Sequence, residues 1–204
     1  KNSLIDQNNQ HGIWQRAGTL VLENTIISNH LFGLTMWGDT VTATSNSFSL
    51  NSQYGLHASG GDSLSLTDNN FTNNGQTAYI AAPINFSHTG NTSSDVTNRG
   101  FEISGDIRDG AVLHTSDLPF ILNGLIVKTG ETLTLSAGTV LKMNHGAYLD
   151  VQGSLVSSGT ASAPVYLTSL KDDSVLGDTN GDSALSSPNM TDWNGITFYS
   201  NSVG

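Results

Sequence analysis

Six oxygen-bearing side chains crowd into one short stretch of this chain. Asp172, Asp173, Asp178, Asn180, Asp182 and Asp192 fall within residues 171–192, where Lys171 is the only cation. Asp178-x-Asn180-x-Asp182 sets three oxygen donors at alternate positions, as a tight loop does for a hard cation such as Ca²⁺. Like charges at this density repel unless a cation is shared. Ca²⁺ is therefore the expected cofactor, with all six residues as candidate ligands. Mg²⁺ suits the loop less because it dehydrates reluctantly. The pattern is not an EF-hand: counted from Asp178, Gly181 stands fourth, Ser183 sixth and Asn189 twelfth, where an EF-hand needs Gly at the sixth and Glu at the twelfth position. A solvated acidic turn is the plain alternative.

Other chemistry is sparse. Asp172-Asp173 could be taken as a carboxylate dyad, but the metal loop accounts for it better. Cleavage of polysaccharides needs carboxylates clustered with Arg, Lys or His on one groove, and Arg16, Arg99 and Arg108 are scattered. His11, His30, His57, His88, His114 and His145 share no register or ligand spacing, which predicts surface or turn positions. There is no Cys, so disulfides, thiolate metal sites and a cysteine nucleophile are excluded. No catalytic residue is assigned, and the chain is expected not to be an enzyme. Trp14, Trp37 and Tyr54 lie beside recurring Gly positions. An exposed strip for stacking sugars and a set of stacked core or edge residues both fit them.

The elements that would carry these groups follow from a repeat. Asn2-Ser3-Leu4, Asn24-Thr25-Ile26, Asn46-Ser47-Phe48 and Asn69-Asn70-Phe71 recur at steps of 22, 22 and 23 residues. Gly12-Ile13, Gly33-Leu34 and Gly55-Leu56 travel with them, with Ala78-Tyr79 in the fourth place. Such a period marks a solenoid, whose units bury apolar surface only by stacking on neighbours. Identical Asn side chains at strand spacing are expected to form an amide ladder. Alternate residues share a strand face, so Thr19 and Val21, Val41 and Ala43, and Leu64 and Leu66 are expected to point inward. Leu20 and Leu22 break that pattern in the first coil.

Residues 87–120 disturb the period and are expected to be an irregular joint, close behind Pro83, between a block over 1–86 and a second over 121–204 that carries the acidic loop. In the second block Leu125 to Leu149 is 24 residues and Leu133 to Leu155 is 22, so the coils continue. Helix signals are nearly absent. The expected fold is an all-β, right-handed parallel β-helix with coils of about 22 residues. Roughly eight coils at the 4.8 Å strand spacing give a rod of ~40 Å. The Leu-x-x-Leu-x-Leu pattern of leucine-rich repeats is missing, and a β-sandwich would not keep Asn and Gly in phase.

Composition narrows the partners. Seven Lys and Arg stand against 17 Asp and Glu, a net charge of −10. That argues against nucleic acid, whose binding rests on basic side chains, and against anionic membrane surfaces. No apolar run approaches a membrane span, so no membrane insertion is expected. The chain starts inside one repeat and stops just after another strand, so both ends are expected to continue into something longer.

The first half resembles generic repeats of right-handed parallel β-helices of the pectate-lyase-like superfamily in bacterial extracellular proteins. Gly130-Glu131-Thr132-Leu133-Thr134-Leu135, Ala137-Gly138-Thr139-Val140-Leu141-Lys142 and Val151-Gln152-Gly153-Ser154-Leu155 belong to the second half. Ala163-Pro164-Val165-Tyr166-Leu167-Thr168-Ser169, Gly177-Asp178-Thr179-Asn180-Gly181-Asp182 and Asp192-Trp193-Asn194-Gly195-Ile196 follow. That order resembles a module of large bacterial surface and secreted proteins, with Leu176 and Ser183 standing where the module commonly has Gly. The resemblance implies an extracellular or cell-surface location and a structural role in an adhesin, surface-layer-like protein or filament. Self-association or further repeats of the same chain would then be the partners. The alternative is a polysaccharide-binding or polysaccharide-cleaving β-helix. Ice binding is disfavoured because Thr42, Thr44 and Thr67 do not extend into regular arrays.

Overall fold

The computed structural model describes residues 1–82, 85–107, 110–200 and 202–204. Among them every regular element is a β-strand. The strands pair in parallel from coil to coil, giving a right-handed solenoid of about seven turns, one fewer than the spacing suggests. The longest sheet has nine strands. Its first seven are His11–Gln15, Phe32–Met36, Tyr54–Ala58, Gln76–Ala82, Thr97–Ile107, Phe120–Val127 and Val140–Val151. Tyr166–Ser169 and Ile196–Phe198 then pair with opposite ends of Val140–Val151. A five-stranded sheet from Leu4–Asp6 to Thr92–Ser94 and a four-stranded sheet from Thr19–Glu23 to Asn85–Thr89 complete the first coils. A three-stranded sheet from Ala111–Leu113 to Ser154–Ser157 completes the later ones.

Apolar residues fill the lumen in columns. Leu34, Leu56, Ala78, Phe101, Phe120 and Leu141 are in register and buried. Phe48 and Phe71 stack with ring centroids 4.9 Å apart. Aromatic pairs of this kind contribute about 0.5–1.5 kcal/mol beyond area burial. Leu125 pairs with Leu149 and Leu133 with Leu155, as their spacing predicts.

Three details differ from the sequence reading. In the first coil Leu20 pairs with Val41 and Leu22 with Ala43, and Val21 is 52% exposed. The register there is one residue off the expected one, and because side chains alternate, such a slip exchanges the faces. For the same reason Asn24 aligns with Ser45 rather than Asn46. The fourth Gly-apolar position is Thr77-Ala78, since Ala78 is the partner of Leu56. Gly is needed in this column where backbones approach: a Cβ on Gly33 would sit 2.5 Å from the Gly55 carbonyl and 2.9 Å from the Asn51 amide nitrogen.

Two amide ladders run along the axis, where one was expected. In the first, Asn46 Oδ1 accepts from the Thr25 backbone N–H, and Asn69 Oδ1 accepts from both the backbone N–H and Nδ2 of Asn46. Asn91 does the same for Asn69, and Asp117 for Asn91. Each Nδ2 also donates to a carbonyl of the preceding coil: Leu22, Ala43 and Leu66 in turn. The second ladder runs from the His30 N–H through Asn51 and Asn74 to Asp95. Immediately before the ladder positions the chain turns through left-handed backbone at Asn24, Ser45 and Asp68, and at Asn29, Leu50 and Asn73. Burial pushes the Asp95 carboxyl upward, against hydrogen bonds from Thr77 and Asn74 that favour its ionised form.

Within residues 87–120 the five- and four-stranded sheets end and the three-stranded sheet begins, while the longest sheet passes through as Thr97–Ile107. Pro83 and Arg108 lie outside the described residues. Register shifts at Ile103/Ser104 and Leu122/Gly124 bend the long strands at one height. In the last rung the segment 170–195 is inserted between Tyr166–Ser169 and Ile196–Phe198.

The ladders give a direct test. Asn74→Ala orphans buried donors on Asn51 and a carbonyl on Phe48, at ~1–3 kcal/mol each. Its destabilisation in urea should reach roughly 3–5 kcal/mol. Exposed Asn70→Ala, one residue beyond a ladder Asn, should stay within about 0.5 kcal/mol of wild type.

Candidate functional site

The inserted segment folds around its own carboxylates. Asp178 Oδ1 accepts the backbone N–H of Gly181 (2.8 Å) and Asp182 (3.0 Å), and its Oδ2 accepts that of Ser183 (3.0 Å). A short side chain that captures local N–H groups is the usual device for closing such a turn. Left-handed backbone at Gly181, Ser183 and Ala184 lets the loop close. Gly181 also lies against the Val96 carbonyl, leaving no room for a Cβ. Asp182 is bonded by the Asn180 amide at 2.8 Å, by Ser186 Oγ and by the Leu185 N–H. Asp172 takes Ser174 and Thr168 hydroxyls.

Two cations on solenoid strands, Arg99 and Lys142, hold this loop to the solenoid, and a third, Lys171, closes the loop on itself. Arg99 donates from Nη1 to Asp178 Oδ2 at 2.9 Å, and its backbone N–H donates to the Thr179 carbonyl at 2.8 Å. Lys142 is 0% exposed. Its ammonium donates to the Asp172 carbonyl (2.9 Å), the Gly177 carbonyl (2.8 Å) and Thr179 Oγ1 (2.6 Å). Burial pushes its pKa down, opposed by the charges of Asp173, Asp172 and Asp178. Lys171 donates to Asp192 Oδ1 at 2.6 Å, while Ser169 Oγ donates to Asp192 Oδ2 at 2.6 Å. The loop is thus a strap. It leaves the last rung and reaches back to the strand that begins at Thr97, passing over the outer face of the long sheet. Ile121, between Glu102 and Lys142 in one outward column, is 0% exposed although it stands outside the lumen core.

Of the six expected ligands, Asp173, Asp178 and Asp182 come together, each offering one carboxylate oxygen within 4.8 Å of the others. Asp173 Oδ1 is buried and has no hydrogen-bond partner. An all-oxygen donor set with one orphaned oxygen fits a hard cation. Asp172 and Asp192 lie outside this group, committed to the partners above, and Asn180 is tied through its amide nitrogen to Asp182. The sequence reading missed Lys142 and Arg99. Both are remote in sequence from the loop, and a lysine flanked by Leu141 and Met143 was the one linear signal.

A second candidate surface is the outer face of the long sheet ahead of the strap. His11 and Phe32 stack at 5.3 Å, Phe32 and Tyr54 at 6.3 Å, and His57 and Tyr79 at 5.1 Å. Trp14 and Trp37, 39% and 53% exposed, meet edge to face at 5.0 Å. Arg16 lies 3.9 Å over the Trp14 ring. The expected grouping of Trp14, Trp37 and Tyr54 is thus part of a larger array. Beyond it, Glu102 accepts from the side-chain amides of Asn98 and Asn123. One histidine, His88, departs from the expected surface or turn placement, while His30 keeps a turn position, though a buried one. His30 is buried at the head of the second ladder, and the His88 ring is buried beside Phe86 and Phe101 with Nδ1 bonded to Asp117.

Compared with known proteins, residues 1–110 match a family model described as a right handed beta helix region. No curated protein and no solved structure matches the chain.

The strap has a pH dependence with a definite sign. Lys171 and Ser169 hold the Asp192 carboxyl down at about 2. Asp172 is lowered chiefly by Ser174 and Thr168. At Asp178 burial pushes upward, and backbone N–H groups and Arg99 outweigh it. Folded carboxyls below their unfolded values of about 4 add stability that is complete above that pH and lost as pH falls toward 2. The hydrogen-exchange protection factor across 171–192, the observed rate set against the intrinsic rate at each pH, should be level above about pH 5 and fall between about pH 4 and 2. Asp192→Asn should reduce that acid sensitivity.

Proposed function

Because the chain belongs to the right-handed β-helix family, whose members include both enzymes and non-enzymes, we propose that its own role is structural: a rigid, non-catalytic segment of an extracellular or cell-surface protein. An adhesin, a surface-layer-like protein or a filament is the setting this suits. The observation that carries the reading is the pair of axial ladders, which ties the first coils into one stiff unit in which every ladder amide is satisfied. The strap extends that tie across the later rungs. The strands Leu4–Asp6, His11–Gln15 and Thr19–Glu23 are edges of their sheets, and unpaired edges template further pairing. Further coils or a like segment are the proposed partners there. The flat flank of the four-stranded sheet bears Thr40, Thr42, Thr44, Ser63, Ser65 and Thr67 outward and gathers no catalytic group. Arg16 and Arg99 are already committed to Trp14 and the strap.

Ca²⁺ is the proposed cofactor, held by Asp173, Asp178 and Asp182. Four strap carboxylates, those of Asp172, Asp173, Asp178 and Asp182, face two cations among the described residues, Lys142 and Arg99. A further positive charge at the orphaned Asp173 oxygen would relieve that imbalance. Polysaccharide binding on the aromatic face is a second reading, favoured by the exposed Trp14–Trp37 pair and the stacked rings beside it.

Ca²⁺ at one hundred times its Kd should stabilise the native protein by about 2.7 kcal/mol through mass action and raise its melting temperature. Asp173→Asn removes a charge that favours the buried Lys142 ammonium, so it should lower the metal-free melting temperature somewhat, and it should abolish the rise with Ca²⁺. An equal rise in both proteins would remove Asp173 from the site. In electron micrographs of the native parent material, segments joined end to end support the structural role, and isolated rods with covered ends that turn over a polysaccharide refute it.

A further inference from the structure

The ring array on the long sheet has a direction, a length and a charge. It runs across the strands beginning at His11, Phe32, Tyr54 and Gln76, and ends beside the strand beginning at Thr97, where Gly181 and Asp178 of the strap close on Val96 and Arg99. With rungs about 4.8 Å apart, the four ring-bearing strands span ~14 Å, room for about three sugar rings of an extended chain. The half-exposed Trp37 ring suits the CH-rich faces of sugars, and the stacked rings beside it offer apolar edges. Amide and phenol groups alongside, Gln76, Asn98 and Tyr54, suit the sugar hydroxyls. Burial and the nearby Glu102 push the Tyr54 phenol up to about 12, so it remains a donor at neutral pH.

We infer that this face holds a neutral, extended polysaccharide chain and turns away uronic-acid chains, a specificity that rests on the polysaccharide-binding reading above. The charges around the array decide it. Glu102 stands at the end of the array, and the whole chain carries −10. Burial lowers the pKa of His11, and burial followed by the charge of His11 lowers that of His57, so neither ring supplies positive charge at neutral pH. Lys128, just past the end of the strand Phe120–Val127, is paired with Asp106 at 3.2 Å. Arg16 is the one cation seen against the rings among the described residues, and it lies flat on Trp14. A polyanion would meet Glu102 at one end and no cation along the strip but Arg16, whereas a neutral chain loses nothing by that lack and meets rings and hydrogen-bonding groups.

Isothermal titration and tryptophan fluorescence on the Ca²⁺-supplemented protein can test this with β-1,4-linked hexasaccharides of glucose, xylose and mannose, and with hexagalacturonate. At least one neutral hexasaccharide should bind and perturb tryptophan emission. Trp37→Ala, at an exposed position whose folding is checked by thermal melting, should weaken that binding about tenfold, or ~1.4 kcal/mol. Glu102→Gln should leave the neutral sugar bound and raise the affinity for hexagalacturonate. Tighter binding of hexagalacturonate than of every neutral sugar by the wild type would overturn the inference while leaving polysaccharide binding standing. If no sugar of either kind binds, both fall. If Trp37→Ala instead dissolves a self-association seen by analytical ultracentrifugation, with no sugar bound, the face belongs to a second copy of this chain and the inference is wrong.

Discussion

The first coils depend on one requirement: backbone N–H and carbonyl groups at the turns are buried and must find partners. A sheet satisfies the strands, but a solenoid has corners, and at each corner the chain passes through left-handed backbone and leaves a donor pointing along the axis. A side-chain amide is the economical answer, because it accepts and donates at once. Asn69 does all of this: its oxygen takes two N–H groups from Asn46, and its nitrogen serves both the Ala43 carbonyl and Asn91. The Phe48–Phe71 stack, the close glycines and the inward aliphatic columns all depend on coils being held at that spacing. Orphaned groups of this kind cost about 1–3 kcal/mol each, as much as or more than the about 0.5–1.5 kcal/mol that a ring pair in the lumen adds beyond its area.

The same requirement explains what was legible in the sequence. The fold class followed from period alone, and the later coils were placed in register by Leu125, Leu149, Leu133 and Leu155. The ladder register was not readable, because two adjacent positions favour the same residue. Asn is tolerated in left-handed backbone, as at Asn2 and Asn24, and it is the ladder residue one position later, as at Asn46 and Asn69. A repeat of Asn therefore runs smoothly from one column into the next. The first coil's inward residues were displaced with it, and Leu20 and Leu22 were the visible protest. The second ladder was hidden because its members are His30, Asn51, Asn74 and Asp95, three residue types in one geometric role.

For the acidic loop, composition exposed the cluster but not its internal economy. Asp178 is occupied chiefly by its own loop's N–H groups and by Arg99, Asp192 by Lys171 and Ser169, and Asp172 by hydroxyls. Only Asp173 keeps an oxygen to itself. Leu141 and Met143 mark Lys142 as unusual for a strand, but not as the group the loop wraps, since that comes from rung stacking that places it beneath residues thirty and more positions later. The strap also divides the long sheet's outer face: it buries Ile121 and leaves the rings from Trp14 to Tyr79 open.

Both ladders end in a carboxylate, and this has a consequence for how such a chain can change length over generations. An Asn rung is interchangeable with its neighbour, accepting from the coil before and donating to the coil after. Duplication or deletion of a whole coil among Asn46, Asn69 and Asn91 leaves the hydrogen-bonding pattern intact. Asp117 and Asp95 accept but cannot donate. A copied coil placed beyond either would bring one carboxylate against the next, with no proton between them. Growth by coil duplication is therefore open on the N-terminal side of these aspartates and blocked across them, so each carboxylate works as a punctuation mark in the chain's inheritance.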